Sequence, residues 1–218
     1  MDRLHARRWS HLAVANLRIL LGFAFVPAGL KKVLGQPFTA AENTGPFHDF
    51  LDAFLATGFF YPFVGGVQLF AALLLMSQTF GALGAAITLP VLTTITVFCW
   101  STGVWPTAIV ATLMWLGAVA LLVWDFDRWI ALVHPALARR SPAVPADDRW
   151  IDPGMWRLCG LGVLILYGLA CWIDGGVYRP RGPTVADPAF LSLVGIALLP
   201  LVTLAVEQSR RARRRPTR

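Results

Sequence analysis

The chain is predicted to be an all-α, polytopic membrane protein, a four-helix transmembrane bundle followed by a C-terminal helical hairpin, six spans in all. Three observations predict it. Of its 218 residues, 56% are hydrophobic and only 14% charged, with nine tryptophans, a composition unlike that of soluble domains. Six apolar runs are long enough, or nearly so, to cross about 30 Å of hydrocarbon. Basic residues gather in alternate loops, as cytoplasmic segments require.

The first run, residues 12–30, follows Arg3, Arg7 and Arg8; Asn16 and Arg18 interrupt it, and Lys31 and Lys32 close it. At ~1.5 Å per residue it reaches about 28 Å. It is long for a signal peptide, and Pro27 spoils the cleavage pattern, so it is expected to remain as a helix. The second, third and fourth runs, residues 61–76, 82–100 and 105–124, are joined by turns at 77–81 and 101–103. Turns this short force antiparallel neighbours and hence a bundle. Between the first two runs, Phe47, Phe50, Leu51, Phe54 and Leu55 recur at helical spacing while His48, Asp49 and Asp52 take other positions. That pattern predicts an amphipathic helix on the outer membrane surface, either capping the bundle mouth or lying there as a plain interfacial helix with no gating role.

The fifth and sixth runs, residues 158–172 and 190–206, make the hairpin. The fifth is the shortest, and an interfacial or re-entrant helix is the competing reading for it. Asp152 before Pro153 and Asp187 before Pro188 read as N-caps with first-turn prolines. The expected organisation is a bundle over residues 1–127, a cytoplasmic linker over 128–156, the hairpin over 157–208 and a basic tail over 209–218.

Orientation follows from the arginines. With both termini cytoplasmic, the inner segments hold Arg3, Arg7, Arg8, Arg128, Arg139, Arg140, Arg149, Arg157, Arg210, Arg211, Arg213, Arg214, Arg215 and Arg218, fourteen residues against four outside, Lys31, Lys32, Arg179 and Arg181. The lipid bilayer is thus the expected partner, and the basic tail needs no nucleic acid to explain it, since anionic lipid suffices.

Arg18, Gly22, Phe25, Gly29 and Lys32 step by four, three, four and three residues and share one face of the first helix. On the second span Tyr61, Gly65, Gln68, Ala72 and Leu75 do the same. Gly22, Gly29 and Gly65 are the expected packing residues, because glycines on such a face let a neighbouring backbone come close. The facing polar residues, Arg18, Lys32, Gln68 and Tyr61, make up the candidate ligand-binding set. In antiparallel helices Arg18 and Gln68 differ in height by only about 8 Å, a gap that a long side chain or one water bridges. The first four runs contain no carboxylate. An exogenous anion, a quinone carbonyl or backbone oxygens would therefore complete the shell of Arg18; the competing reading has it snorkelling to lipid phosphate.

The stretch LRILLGFAFVPAGLKKVLGQPF, then FLDAFLATGFFYPFVGGVQLFAALLLM and a short turn into GALGAAITLP, resembles the DoxX-like family of small bacterial membrane proteins. The likeness rests on Arg18, Gly22, Gly29, Lys32 and Gly35 in order, and reaches WDFDR at residues 124–128. It implies a four-helix transmembrane bundle in the bacterial inner membrane, linked to redox chemistry of quinones or sulfur compounds, with a redox protein or a second copy as partner. Gln68 stands where many relatives carry glutamate, which removes an obvious ion pair. The last two spans and the tail lie outside the resemblance.

Other chemistries find little support. Cys99, Cys159 and Cys171 form no Cys-x-x-Cys pair and read as ordinary membrane cysteines, with a Cys99–Cys171 disulfide as the alternative. His5, His11, His48 and His134 lack ligand spacing, so no metal or haem is expected. Thr88, Thr93, Thr94 and Thr96 are expected to bond back to the preceding turn, and Trp9, Trp100, Trp105, Trp124, Trp156 and Trp172 to anchor the interfaces. Two functions fit: an accessory or ligand-binding subunit in redox metabolism, whether or not it is itself an enzyme, and a small-molecule or anion carrier.

Overall fold

The computed structural model describes residues 8–40, 42–126, 129, 151–178 and 188–213. Among these the regular elements are all helices: α1 (Arg8–Val33), α2 (Pro46–Leu55), α3 (Phe60–Met76), α4 (Gly81–Ser101), α5 (Trp105–Trp124), α6 (Pro153–Asp174) and α7 (Pro188–Arg213). Most of the expected linker, together with Asp187, Arg179, Arg181 and the end of the basic tail, lies outside the described residues.

Five helices, α1, α4, α5, α6 and α7, are long and apolar enough to cross a membrane. Helix α3, on the expected second span, has 17 residues, about 26 Å of helix, and meets α2 at a 96° bend; the bent pair taken together makes a sixth candidate crossing. The fifth run, by contrast, sits in a helix of 22 residues. Asp152 extends it: its carboxylate accepts from the backbone N–H groups of Gly154 at 3.0 Å and Met155 at 3.3 Å, satisfying donors that a helix start leaves open.

The chain divides into two compact units, one of Leu20–Leu75 with Thr79–Pro142, the other of Met1–Ile19, Met76–Gln78 and Ala143–Arg218. In the first, α4 and α5 run antiparallel, tied by indole N–H bonds from Trp100 to the Thr112 hydroxyl and from Trp115 to the Thr93 hydroxyl, both 2.9 Å. Thr93 and Thr94 bond back to the carbonyls of Leu89 and Pro90, as expected of threonines in a helix, whereas the buried hydroxyls of Thr88 and Thr96 make no such bond. Small residues take the inward positions: Ala71, Ala72, Ala85, Ala108, Ala111 and Ala118 are buried, while Phe70, Leu73, Leu113 and Leu116 are exposed. This inversion suits helices whose outer surface meets lipid and whose contacts depend on close backbone approach.

In the second unit α6 and α7 also pair antiparallel. A Cβ on Gly162 would meet Leu199, and one on Gly195 would meet Leu166. Trp156, expected as an interfacial anchor, is instead fully buried, and its indole N–H donates to Glu207 at 2.9 Å. Glu207 is itself only 2% exposed, with the Arg8 guanidinium 3.6 Å away. An indole at a helix end serves either water or a buried acceptor; the carboxylate on α7 decides it here. Glu207→Leu would leave that N–H buried without its acceptor. A loss of about 1–3 kcal/mol is expected, read as a lower melting temperature in detergent, with Glu207→Gln losing less; equal stability of all three proteins would mean that the bond contributes nothing. Trp9, Trp100, Trp105 and Trp172 are exposed, as anchors should be. Cys99, Cys159 and Cys171 are free thiols in this structure.

Candidate functional site

A lysine near a membrane helix end ordinarily extends its ammonium to water. Lys32 does the opposite. It is 8% exposed and lies back along α1, its Nζ 3.5 Å from the carbonyl of Ala28, donating to Gln68 Oε1 at 3.0 Å. Side chains on a helix lean toward its N-terminus, which for Lys32 means into the protein. Gln68, mid-way along α3 and 1% exposed, waits there as acceptor.

Two glycines make room for this. A Cβ on Gly65 would stand 2.6 Å from Lys32 Cβ and 2.7 Å from the Gly29 carbonyl, and one on Gly29 would stand 2.9 Å from the Gly65 carbonyl. The helices thus cross backbone to backbone, and the lysine stem lies against bare chain. Gly29 and Gly65 are the packing residues expected, and Gly22 on the same stripe is buried too.

Above the ammonium sits Phe38, with its ring centroid 4.2 Å from Nζ, a cation–π contact. The strap that carries it leaves α1 through Gly35, at φ +64°. There the amides of Gln36 and Gly35 bond to the carbonyls of Lys31 and Lys32, the two-bond ending that favours a left-handed glycine. Tyr61 holds the strap from below, its hydroxyl donating to the Gln36 carbonyl at 2.7 Å, while Lys31 holds it from the side through the Pro37 carbonyl at 2.6 Å. The predicted residues Lys32, Gln68 and Tyr61 are therefore brought together. Among the described residues the partners of Lys32 are an amide, a carbonyl and a ring, none of them charged.

Arg18 is held by a backbone oxygen, one of the partners expected for it. Gln68 is taken by Lys32, whereas Arg18, 1% exposed, donates from Nη1 to the backbone carbonyl of Gln78 at 3.3 Å. At 1% exposure its side chain is held inside the protein, and the direction of a long side chain, as well as the level of its Cα, decides what it reaches.

Gln78, one residue of the turn at 77–81, does more than reverse the chain. It is buried, holds φ +60°, and its side-chain amide donates to the Ala15 carbonyl at 3.3 Å. The available signal was a lone amide side chain in a five-residue turn between two apolar runs. Glu207, the buried acceptor of Trp156, also lies outside the expected set; its one signal in the sequence is a single carboxylate just before an arginine-rich tail.

Beside the Gly29–Gly65 crossing, an open apolar groove of about 520 Å³ is lined by Val33, Phe59, Pro62, Phe63, Gly66 and Phe70, among others. Among the described residues, no three His, Cys, Asp or Glu side chains converge to hold a metal ion. Compared with protein-family models, curated proteins and solved structures, the chain finds no match.

Proposed function

We propose that this chain is a DoxX-like, ligand-binding membrane protein in which Lys32 and Gln68 hold an anionic or carbonyl-bearing small molecule, a quinone among them, as an accessory subunit of redox metabolism. One observation carries the binding site: a buried ammonium turned inward onto uncharged partners. A cation so placed is expensive unless an opposite charge or strong acceptor completes its shell, and a charge-assisted bond from Nζ to a ligand oxygen would do so. Gln68 would orient the ammonium through Oε1 and offer its own N–H₂ to the same ligand; Tyr61 would fix the strap above. The redox association is drawn from the resemblance alone. Native mass spectrometry of protein purified from membranes tests the site: an anionic or quinone-type molecule should accompany the parent chain and be lost from Lys32→Met.

The 96° break between α2 and α3 favours a second reading, an anion carrier, since carriers place broken helices at their binding sites. Flux of the retained molecule across proteoliposomes would separate carrier from accessory subunit.

The architecture proposed with this function is six spans, a four-helix bundle and a hairpin, in the bacterial inner membrane with both termini cytoplasmic. Reporter fusions at Arg140 and Gly182 should fall on opposite sides; the same side for both would overturn the six-span arrangement.

A further inference from the structure

The strap and α2 share three features that a fixed cap does not need. Backbone with positive φ stands at Gly35 (64°), Gly45 (111°) and Gly58 (67°), at the start of the strap and at either end of α2. No atom lies within 4 Å of where a Cβ would stand at any of the three, so the glycines answer to backbone conformation and not to packing. Helix α2 buries no residue of its own.

What fastens α2 is a rim of rings and one polar latch. Phe47 stacks on Phe98 and Phe50 lies tilted against the same ring, with centroids 5.3 and 4.4 Å apart, and Phe54 packs edge-on against Tyr61 at 5.0 Å. The hydroxyl of Thr39, on the strap, donates to the Asp52 carboxylate of α2 at 2.8 Å, in an exposed position. The strap in turn seats Phe38 on the Lys32 ammonium.

We propose that the strap of residues 34–40 and α2 form a hinged lid, with Phe38 as its plug, and that ligand reaches Lys32 from the aqueous side beneath α2 by displacing that ring. The inference rests on Lys32 being the ligand site. An anionic oxygen binds an ammonium more strongly than a ring face does, so the incoming group can replace Phe38, whereas water alone leaves the plug seated. The rival route, from the bilayer, would use the groove lined by Phe63 and Gly66.

The test reads access and needs no ligand. Gln68→Cys is made in a chain whose Cys99, Cys159 and Cys171 are alanine, placed in lipid nanodiscs, and modified with a negatively charged, membrane-impermeant methanethiosulfonate. Lys32 beside it favours the reactive thiolate. Reaction should be slow with the plug in place and about tenfold faster in Phe38→Ala, the shift in open population that loss of such a contact produces. Thr39→Val should accelerate it less, and Phe63→Ala should leave it unchanged. Equal rates with and without Phe38, or acceleration by Phe63→Ala together with preference for a lipid-soluble reagent, would overturn the lid. Should Gln68→Cys fail to fold, Ala72→Cys, one turn along the same buried face, carries the measurement. Because no ligand is involved, the lid can fail here while Lys32→Met still loses its bound molecule, and the reverse.

Discussion

Lys32→Met should insert and fold but lose its bound molecule. Methionine fills the slot against Gly65 with a flexible stem of similar length, so the helix crossing survives. What goes is the positive charge and the donor to Gln68 Oε1, 3.0 Å away in the parent. A charge-assisted bond to a ligand oxygen is worth about 1.5–3 kcal/mol, which corresponds to roughly a ten- to hundredfold loss of affinity. Gln68 loses its donor as well, so a modest fall in thermal stability should accompany the lost ligand. Lys32→Arg should restore little, because a planar guanidinium is too wide to lie against the glycine backbone. Gln68→Glu gives the sharper result. A carboxylate there would neutralise Lys32 internally and compete with any anion, so retention should fall while the fold persists. Unchanged retention in both Lys32→Met and Gln68→Glu would remove the site. On this reasoning the glutamine is what leaves the charge of Lys32 free to serve a ligand.

Which parts of this site were legible depends on what each inference required. The stripe from Arg18 to Lys32 and the face from Tyr61 to Leu75 follow from helical period alone, and every residue of both is buried. The glycine crossing follows from the same period together with the absence of a side chain. Partner choice does not. It turns on Lys32 folding back toward Ala28, and on a turn residue, Gln78, offering its carbonyl to Arg18; neither spacing nor composition encodes a side chain's direction. Helix ends were blurred for a related reason. Apolar runs mark the segment that lipid demands, whereas α1 continues into Arg8 and α6 reaches back to Pro153, where hydrogen bonding, not hydropathy, sets the limit. Trp156 departs from its expected place because an indole is equally at home at an interface and beside a buried carboxylate.

Gly65→Ala and Gly66→Ala, neighbours in sequence, should diverge in stability and in site integrity. Both gain the same helix propensity, up to about 1 kcal/mol for replacing a mid-helix glycine. Around Gly66 nothing lies within 4 Å of the new Cβ, so that variant should be neutral or slightly more stable. At Gly65 the new Cβ would stand 2.6 Å from Lys32 Cβ, 2.7 Å from the Gly29 carbonyl and 2.9 Å from the Val33 amide. Two of those three atoms are backbone, which cannot rotate away. Carbon atoms rest about 3.5–4.0 Å apart, so α1 and α3 must separate by about 1 Å. Overpacking of this kind costs about 1–3 kcal/mol, more than the propensity gain. The same movement stretches the 3.0 Å Lys32–Gln68 bond beyond about 3.5 Å, where little hydrogen bonding remains. Gly65→Ala should therefore melt several degrees lower and also lose bound ligand, although it touches neither polar side chain's chemistry. Melting curves and native mass spectra of the two variants side by side decide the matter. If Gly65→Ala matches Gly66→Ala in both, the close crossing is not what holds Lys32 in place.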